Sequence, residues 1–301
     1  MTESPSMHSG EAGPNDRGIE DSGRSRDEMR ATWLGPVDYG TALGLQRSVV
    51  EVRKSNAVPD TLLFLEHPHV ITMGRRAPAS HVLTALDELE ASGVEIHETD
   101  RGGEATYHGP GQLVGYPIID VRAAGLGPVT YVRMLERSIV ETLAEFGVTA
   151  HVVDGETGVW VGGVPNEKRR SEVNPAGKKI AAIGVRITGG VSMHGFALNV
   201  STDTSYFRHI IPCGMPRLEI STVEAETGKT VSVLDCARVM ADRLAANLQR
   251  ALVWTERVEH TVHSTNEHDP SSDCTGKFRV NSHFGWVSPP TLITPFGSMM
   301  H

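Results

Sequence analysis

The chain has 301 residues, a formal net charge of −9 and few aromatic residues. That acidity argues against nucleic acid as a partner, and no apolar run is long enough to span a bilayer. The three cysteines, Cys213, Cys236 and Cys274, are widely spaced and odd in number, which argues against a disulfide framework and against a C-x-x-C metal site. The polar N-terminus lacks the apolar core of a signal peptide, so a cytoplasmic location is expected.

Residues 1–30 hold seven acids and four bases with scarcely an apolar residue, so a disordered tail is expected there. The folded part is expected over 31–254. Beyond Trp254 the chain is polar and patternless, and 255–301 reads as a second, disordered tail.

Within the folded part, Val37–Asn56 has Tyr39, Leu43, Gln46, Val49 and Val50 at helical spacing. Thr61–Glu66 is an apolar run of strand length, and Val70–Met73 continues it after His67-Pro68-His69. Two histidines two apart can ligate a metal, but no third ligand lies nearby, and a turn around Pro68 is the better reading. Arg75 and Arg76 form a basic pair, either simply solvated or a contact for an acidic partner. Thr84–Ser92 reads as a short helix closed by Gly93, then Val94–Glu98 as a strand.

The run from Arg101 to Ile119, RGGEATYHGPGQLVGYPII, concentrates glycines, a proline, a hydroxyl, an imidazole, an amide and an arginine before becoming an alternating apolar strand over Leu113–Ile119. Residues without Cβ let backbone approach another molecule closely. A bare turn does not need Arg101, Thr106, His108 and Gln112 as well. The segment after Gly111 is not a helix and no Gly-Lys-Ser/Thr ending is present, so the run fits a small-molecule site and not a nucleotide cradle.

Pro128–Phe146 is a strongly amphipathic helix, stopped by Gly147. Val148–Val153 and Gly158–Val161 read as strands. Between Gly162 and Gly177 a polar loop carries Lys168-Arg169-Arg170, either a solvated tip or a contact for an acidic carrier. Lys179–Ile187 is apolar on both faces, as in a strand buried on both sides, and Val191–Val200 is its expected hairpin partner. Ser201–Ile210 reads as an irregular or helical connection. Val233, Ala237, Met240, Leu244, Leu248 and Leu252 define a last helix.

Cys213, between Pro212 and Gly214, is the candidate nucleophile; the Gly214 amide beside it could donate to an oxyanion. The competing reading, a buried inert thiol, fits Cys236 within a helix and leaves Cys274 incidental. A cysteine nucleophile needs its thiolate, and Lys179, opening an otherwise buried strand, could favour that charge; the alternative is a solvated strand end, the reading given to Lys178. His108 is either a proton carrier or a structural histidine holding its loop.

The Arg101 run, the segment LEHPHVITMGRRA, the block MHGFALNV over 193–200 and Pro212-Cys213-Gly214 together resemble the lipoyl(octanoyl) transferases, which start protein lipoylation. The resemblance covers about Trp33 to Leu252. It implies an α+β fold, a mixed sheet flanked by helices on one side, like the catalytic domain of biotin and lipoate protein ligases. It implies octanoyl transfer from octanoyl-acyl carrier protein to a lysine of lipoyl domains, those of 2-oxo acid dehydrogenase complexes and the glycine cleavage H protein, through a Cys213 acyl-thioester. No cofactor and no metal are implied. The lysine directly before Ile-Ala-x-x-Gly selects Lys179. Acyl substrate is expected on Arg101, Gly102, Gly103, Glu104, Ala105, Thr106, Tyr107 and His108, then Ala182, Ile183 and Gly184, then Gly195, Phe196 and Ala197. Glu104 and Ala105 stand where the resemblance is variable. Small residues at Gly184, Gly195 and Ala197 are expected to leave a slot between neighbouring strands for a fatty chain. The alternatives are an ATP-dependent lipoate or biotin protein ligase, against which the His-Gly-Pro-Gly-Gln continuation and Pro-Cys-Gly stand, and a non-catalytic module that binds acyl chains or their carrier.

Overall fold

The computed structural model describes residues 28–163 and 177–255. The basic triplet at 168–170, Cys274 and most of both expected tails lie outside the described residues. The first strand, β1 (Glu28–Pro36), starts inside the expected N-terminal tail and pairs in parallel with β2 (Asp60–Glu66). Between them runs α1 (Tyr39–Lys54), whose N-cap Asp38 accepts a hydrogen bond from the Thr41 amide at 2.8 Å.

The run after His67-Pro68-His69 does not continue β2. It forms β3 (Val70–Met73), which pairs in parallel with β4 (Glu95–Glu98) and antiparallel with β5 (Ala105–His108), giving a separate three-stranded sheet. A short helix, α2 (Leu86–Ala91), precedes β4. The chain returns to the large sheet through β6 (Gln112–Ile118) and then forms α3 (Pro128–Glu145), with proline in its first turn where no amide partner is needed.

Two short strands, β7 (Ala150–His151) and β8 (Val159–Val161), precede the long hairpin of β9 (Lys178–Thr188) and β10 (Val191–Asn199). Gly189 and Gly190 join the hairpin at φ +63° and +93°, the backbone that two-residue hairpin loops require. The chain ends through α4 (Val223–Thr227), α5 (Val233–Leu248) and β11 (Ala251–Trp254). Leu252, expected on the last helix, instead lies on β11, because Gln249 takes a left-handed conformation that ends α5. The eight-stranded order is β11-β1-β2-β6-β10-β9-β8-β7.

The large sheet is covered on both faces, which corrects the one-sided expectation. Leu62, Phe64, Leu113, Phe196 and Leu198 face α3 and α5; Leu63, Leu65, Val114, Tyr116 and Ala197 face α1. Odd and even positions of one strand point to opposite sides, so a run such as Leu62-Leu63-Phe64-Leu65 fills both cores at once. In β9 only Lys179 to Ala181 are buried and 182–188 are half-exposed, so that strand is not enclosed along its whole length. Among the described residues no helix is long and apolar enough to cross a membrane.

Candidate active site

The stretch from Arg101 to Gly111 bridges the two sheets, and the Arg101 loop docks on β9 through the Gly102 amide, which donates to Val185 O at 3.0 Å. The turn carrying Cys213 is tied at both ends. On one side the Ile211 amide donates to His81 O (2.8 Å), beside the small sheet; on the other the Lys179 amide donates to Glu219 O (2.8 Å) and the Ser221 amide to Lys179 O (3.0 Å). Two chain segments of distant origin are thereby brought to one point. Lys179 Nζ lies 3.4 Å from Cys213 Sγ.

Lys179 is buried, and its ammonium also stands 4.7 Å from the centre of the Trp160 ring, an attraction between a cation and an aromatic face. Its stem runs past Gly158. A Cβ at Gly158 would come within 2.5 Å of Ala181 O and 2.6 Å of Lys179 Cε, and φ there is +120°, so glycine is required twice over. The buried Glu136 of α3 fixes this segment by accepting from the Gly158 amide at 3.0 Å. Cys213 is half-buried and left-handed, with φ 55° and ψ 24°, a conformation that costs a non-glycine residue roughly 1–2 kcal/mol. The Gly214 amide, expected to serve an oxyanion, instead donates to Ile211 O at 3.3 Å and closes the turn.

The pair opens on a cavity of about 340 Å³. Arg101, Gly102, Gly103, Glu104, Ala105, Thr106 and His108 line it from the bridging stretch, and Ala182, Ile183, Gly184, Gly195, Phe196 and Ala197 line it from the hairpin. Tyr107 is the one expected binding residue that does not. Strand alternation turns its ring to the other side of β5, where it stacks on Tyr206 at 5.1 Å and its hydroxyl meets His69 Nδ1 at 2.7 Å. Nor does a slot separate the strands: β9 and β10 are hydrogen-bonded neighbours, with Gly184 opposite Gly195 and Ala182 opposite Ala197. In that pairing Ala182, Gly184, Gly195 and Ala197 share one face, and all four line the cavity.

Arg101 is buried, and its guanidinium donates to Thr72 O (2.6 Å), to Thr72 Oγ1 (2.8 and 3.2 Å) and to Gly102 O (3.1 Å). Burial pulls it below the ordinary arginine range, while Tyr39 and then Cys213 act in the opposite sense. His108 is buried with both ring nitrogens engaged: Nδ1 with Gln112 Oε1 at 2.7 Å and Nε2 with Thr72 Oγ1 at 3.3 Å. Burial, then the neighbouring His67, pushes it down to about 3, so it is neutral at pH 7. The Gln112 oxygen can only accept, which assigns the ring hydrogen to Nδ1. These contacts match the structural role and leave no ring nitrogen turned to a substrate.

Gln112 carries the chain of bonds onward, donating to Asn199 Oδ1 at 2.9 Å, and Asn199 donates to Ser221 O at 3.1 Å. A continuous hydrogen-bonded path thus joins Arg101 to the segment that holds Lys179. Trp160 and Glu136 have no motif of their own; Thr72, Gln112 and Asn199 stand within conspicuous runs, but nothing in those runs marks the bonds they make. Among the described residues no group of three or more His, Cys, Asp or Glu gathers where a metal could be held.

Residues 38–245 match the family model of the lipoyl protein ligase A/B catalytic domain. The chain is 41% identical over 225 residues to an octanoyltransferase of Koribacter versatilis, covering 74% of this chain and 85% of the relative. It is 43% identical to the octanoyltransferase of Mycobacterium tuberculosis, covering 77% and 92%, and 40% identical to the mitochondrial octanoyltransferase LIP2 of Arabidopsis thaliana, covering 77% and 94%. Among solved structures, lipoate-protein ligase A bound with ATP superposes with a TM-score of 0.56 at 20% identity, covering 76% of this chain and 88% of that one. A bi-partite lipoate protein ligase from Thermoplasma acidophilum gives 0.56 at 18% identity, covering 76% and 87%. The fold is therefore that of the ligases' catalytic domain, and the chain belongs to the octanoyltransferases of the lipoyl protein ligase A/B family.

Proposed function

We propose that this acyltransferase takes an octanoyl group from octanoyl-acyl carrier protein, holds it as a thioester on Cys213, and passes it to a lysine of a lipoyl domain. The observation that carries this reading is the buried ammonium of Lys179 at 3.4 Å from the Cys213 sulfur, at the edge of a cavity walled by small residues.

A positive charge at that distance favours the thiolate, the form of cysteine that attacks carbonyls. The thiolate adds to the carrier thioester, and the carrier sulfur leaves with a proton from Lys179 Nζ. The acyl group is then on Cys213 and Lys179 is neutral. In the second step a lysine amine adds to the Cys213 thioester, Lys179 Nζ takes a proton from its nitrogen, and the Cys213 thiolate leaves. The ion pair is thereby restored. Exchange of one thioester for another is nearly balanced and amide formation is downhill, so the chemistry needs no ATP. An ammonium has three donors, so Lys179 can face the sulfur and a developing oxyanion together.

Incubation with octanoyl-carrier in the absence of ATP, followed by mass spectrometry, tests the reading. An octanoyl group on Cys213 that an apo lipoyl domain then removes is the expected result. A wild-type enzyme that remains unloaded, or that modifies the lipoyl domain only with ATP and free acid, contradicts it and favours ligase chemistry.

A further inference from the structure

We infer that Glu104 binds the ammonium of the incoming acceptor lysine and takes its first proton. This rests on the two-step transfer proposed above and adds a group which that scheme lacks. A lysine arrives protonated, and an amide nitrogen keeps one hydrogen, so two protons must leave between ammonium and product. Lys179, having given one proton to the carrier sulfur, takes one back. The other can leave to water or to an acceptor beside the thioester.

Glu104 occupies that place. A Cβ built on Gly214, the residue after the nucleophile, would stand 2.5 Å from Glu104 Oε2 and 2.9 Å from Oε1, so the carboxylate rests directly on the Cys213 turn. It lines the same cavity as Cys213 and Lys179. Its side chain keeps 25% of its exposure, which leaves it open to an incoming group and able to pass a proton on to water. His81 Nδ1 lies 3.0 Å from Oε2, an ion pair whenever that imidazole is protonated, and among the described residues no group pairs with Oε1, the oxygen left for an incoming ammonium.

The charges around the cavity make the case. Arg76 and Arg101 line it as cations when the acceptor arrives, Lys179 being neutral once Cys213 is loaded, while His108 and His194 are held neutral by burial. An ammonium approaching such a rim is repelled unless a carboxylate receives it. Glu156 is the other acid among the described lining residues, but it sits in the segment leading to Gly158, on the Lys179 side. In the step proposed, Glu104 carboxylate accepts a proton from the ammonium, the freed amine attacks the Cys213 thioester, and the resulting carboxylic acid returns its proton to solvent.

Single-turnover measurements on the full chain test this with Glu104→Gln and Glu104→Asp. The time course of Cys213 loading from octanoyl-carrier is followed first, then discharge of the loaded enzyme by an apo lipoyl domain and, separately, by hydroxylamine, an amine that is uncharged at neutral pH. For Glu104→Gln the expected result is discharge to the lipoyl domain slowed about 100-fold, the scale of one proton-transfer partner, with a smaller change in loading and in discharge by hydroxylamine. The deficit shrinks as pH rises and the acceptor lysine loses its own proton, and Glu104→Asp falls between wild type and Glu104→Gln. Equal loss with hydroxylamine and lipoyl domain, unchanged discharge in Glu104→Gln, or the selective loss appearing in Glu156→Gln instead overturns the assignment. A wild-type enzyme that does not load Cys213 removes the underlying two-step reading, and this assignment with it.

Discussion

At Cys213 the backbone is held where only glycine rests without strain, at φ 55°. The turn positions the sulfur at the Lys179 ammonium and does so at a cost to the fold. Replacing Cys213 with glycine should therefore raise the urea midpoint, by about 1 kcal/mol of unfolding free energy, while abolishing acyl loading. A serine at 213, which keeps the strain, should abolish normal thioester loading without that gain. Gly158→Ala presses on Lys179 Cε and on Ala181 O at once, so it should slow loading by displacing the ammonium even though residue 158 touches no substrate. The loading rate under single turnover is the measurement, and a rate equal to wild type contradicts the geometry. Cys213 was legible from its place between proline and glycine, whereas the choice of Lys179 over Lys178 at the opening of the same strand came from the resemblance and not from the residues alone. Gly158 was not, because its constraint comes from a side chain 21 positions further along the chain.

At the level of elements, the stretch that reads as one glycine-rich loop is a loop, a strand and a turn. Ala105–His108 pairs with Val70–Met73 through the register Thr106 opposite Thr72. Four residues enclosed by glycine pairs carry too little alternation to announce a strand, and its partner is contributed from 32 to 38 residues upstream. The same pairing places Thr72 between Arg101 and His108, where its hydroxyl accepts from the guanidinium and donates to the imidazole. Thr72→Val keeps the shape and removes all three bonds of that hydroxyl. It should destabilise the fold by about 1–3 kcal/mol, the cost of leaving buried polar groups unpaired, and raise KM for octanoyl-carrier as the Arg101 loop loosens. Denaturation and steady-state kinetics read the two effects separately. The helices beside the sheet were legible from their periodicity; the face each one covers was not, because runs such as Leu62 to Leu65 serve both faces and carry no label for either.

Across the whole molecule, three buried histidines share one electrostatic consequence. Burial pushes His67 down to about 4 and both His108 and His194 to about 3, from an ordinary value of about 6.5. In the folded chain they stay neutral well below the pH at which the unfolded chain protonates them. Their contribution is therefore fully present above about pH 6.5 and is lost as pH falls toward the folded values, at about 1.4 kcal/mol per pH unit for each proton taken up. Paired carboxylates act in the same direction but mostly below pH 5, so the interval from about pH 7 to pH 5 isolates the histidines. The urea midpoint should fall across that interval. His108→Gln, which retains a hydrogen-bonding side chain at 108, should be less stable at pH 7 yet show a shallower fall, because one of the three protons no longer distinguishes the two states. A slope unchanged from wild type would mean that His108 titrates alike in both, and its place as the neutral link between Thr72 and Gln112 would have to be abandoned.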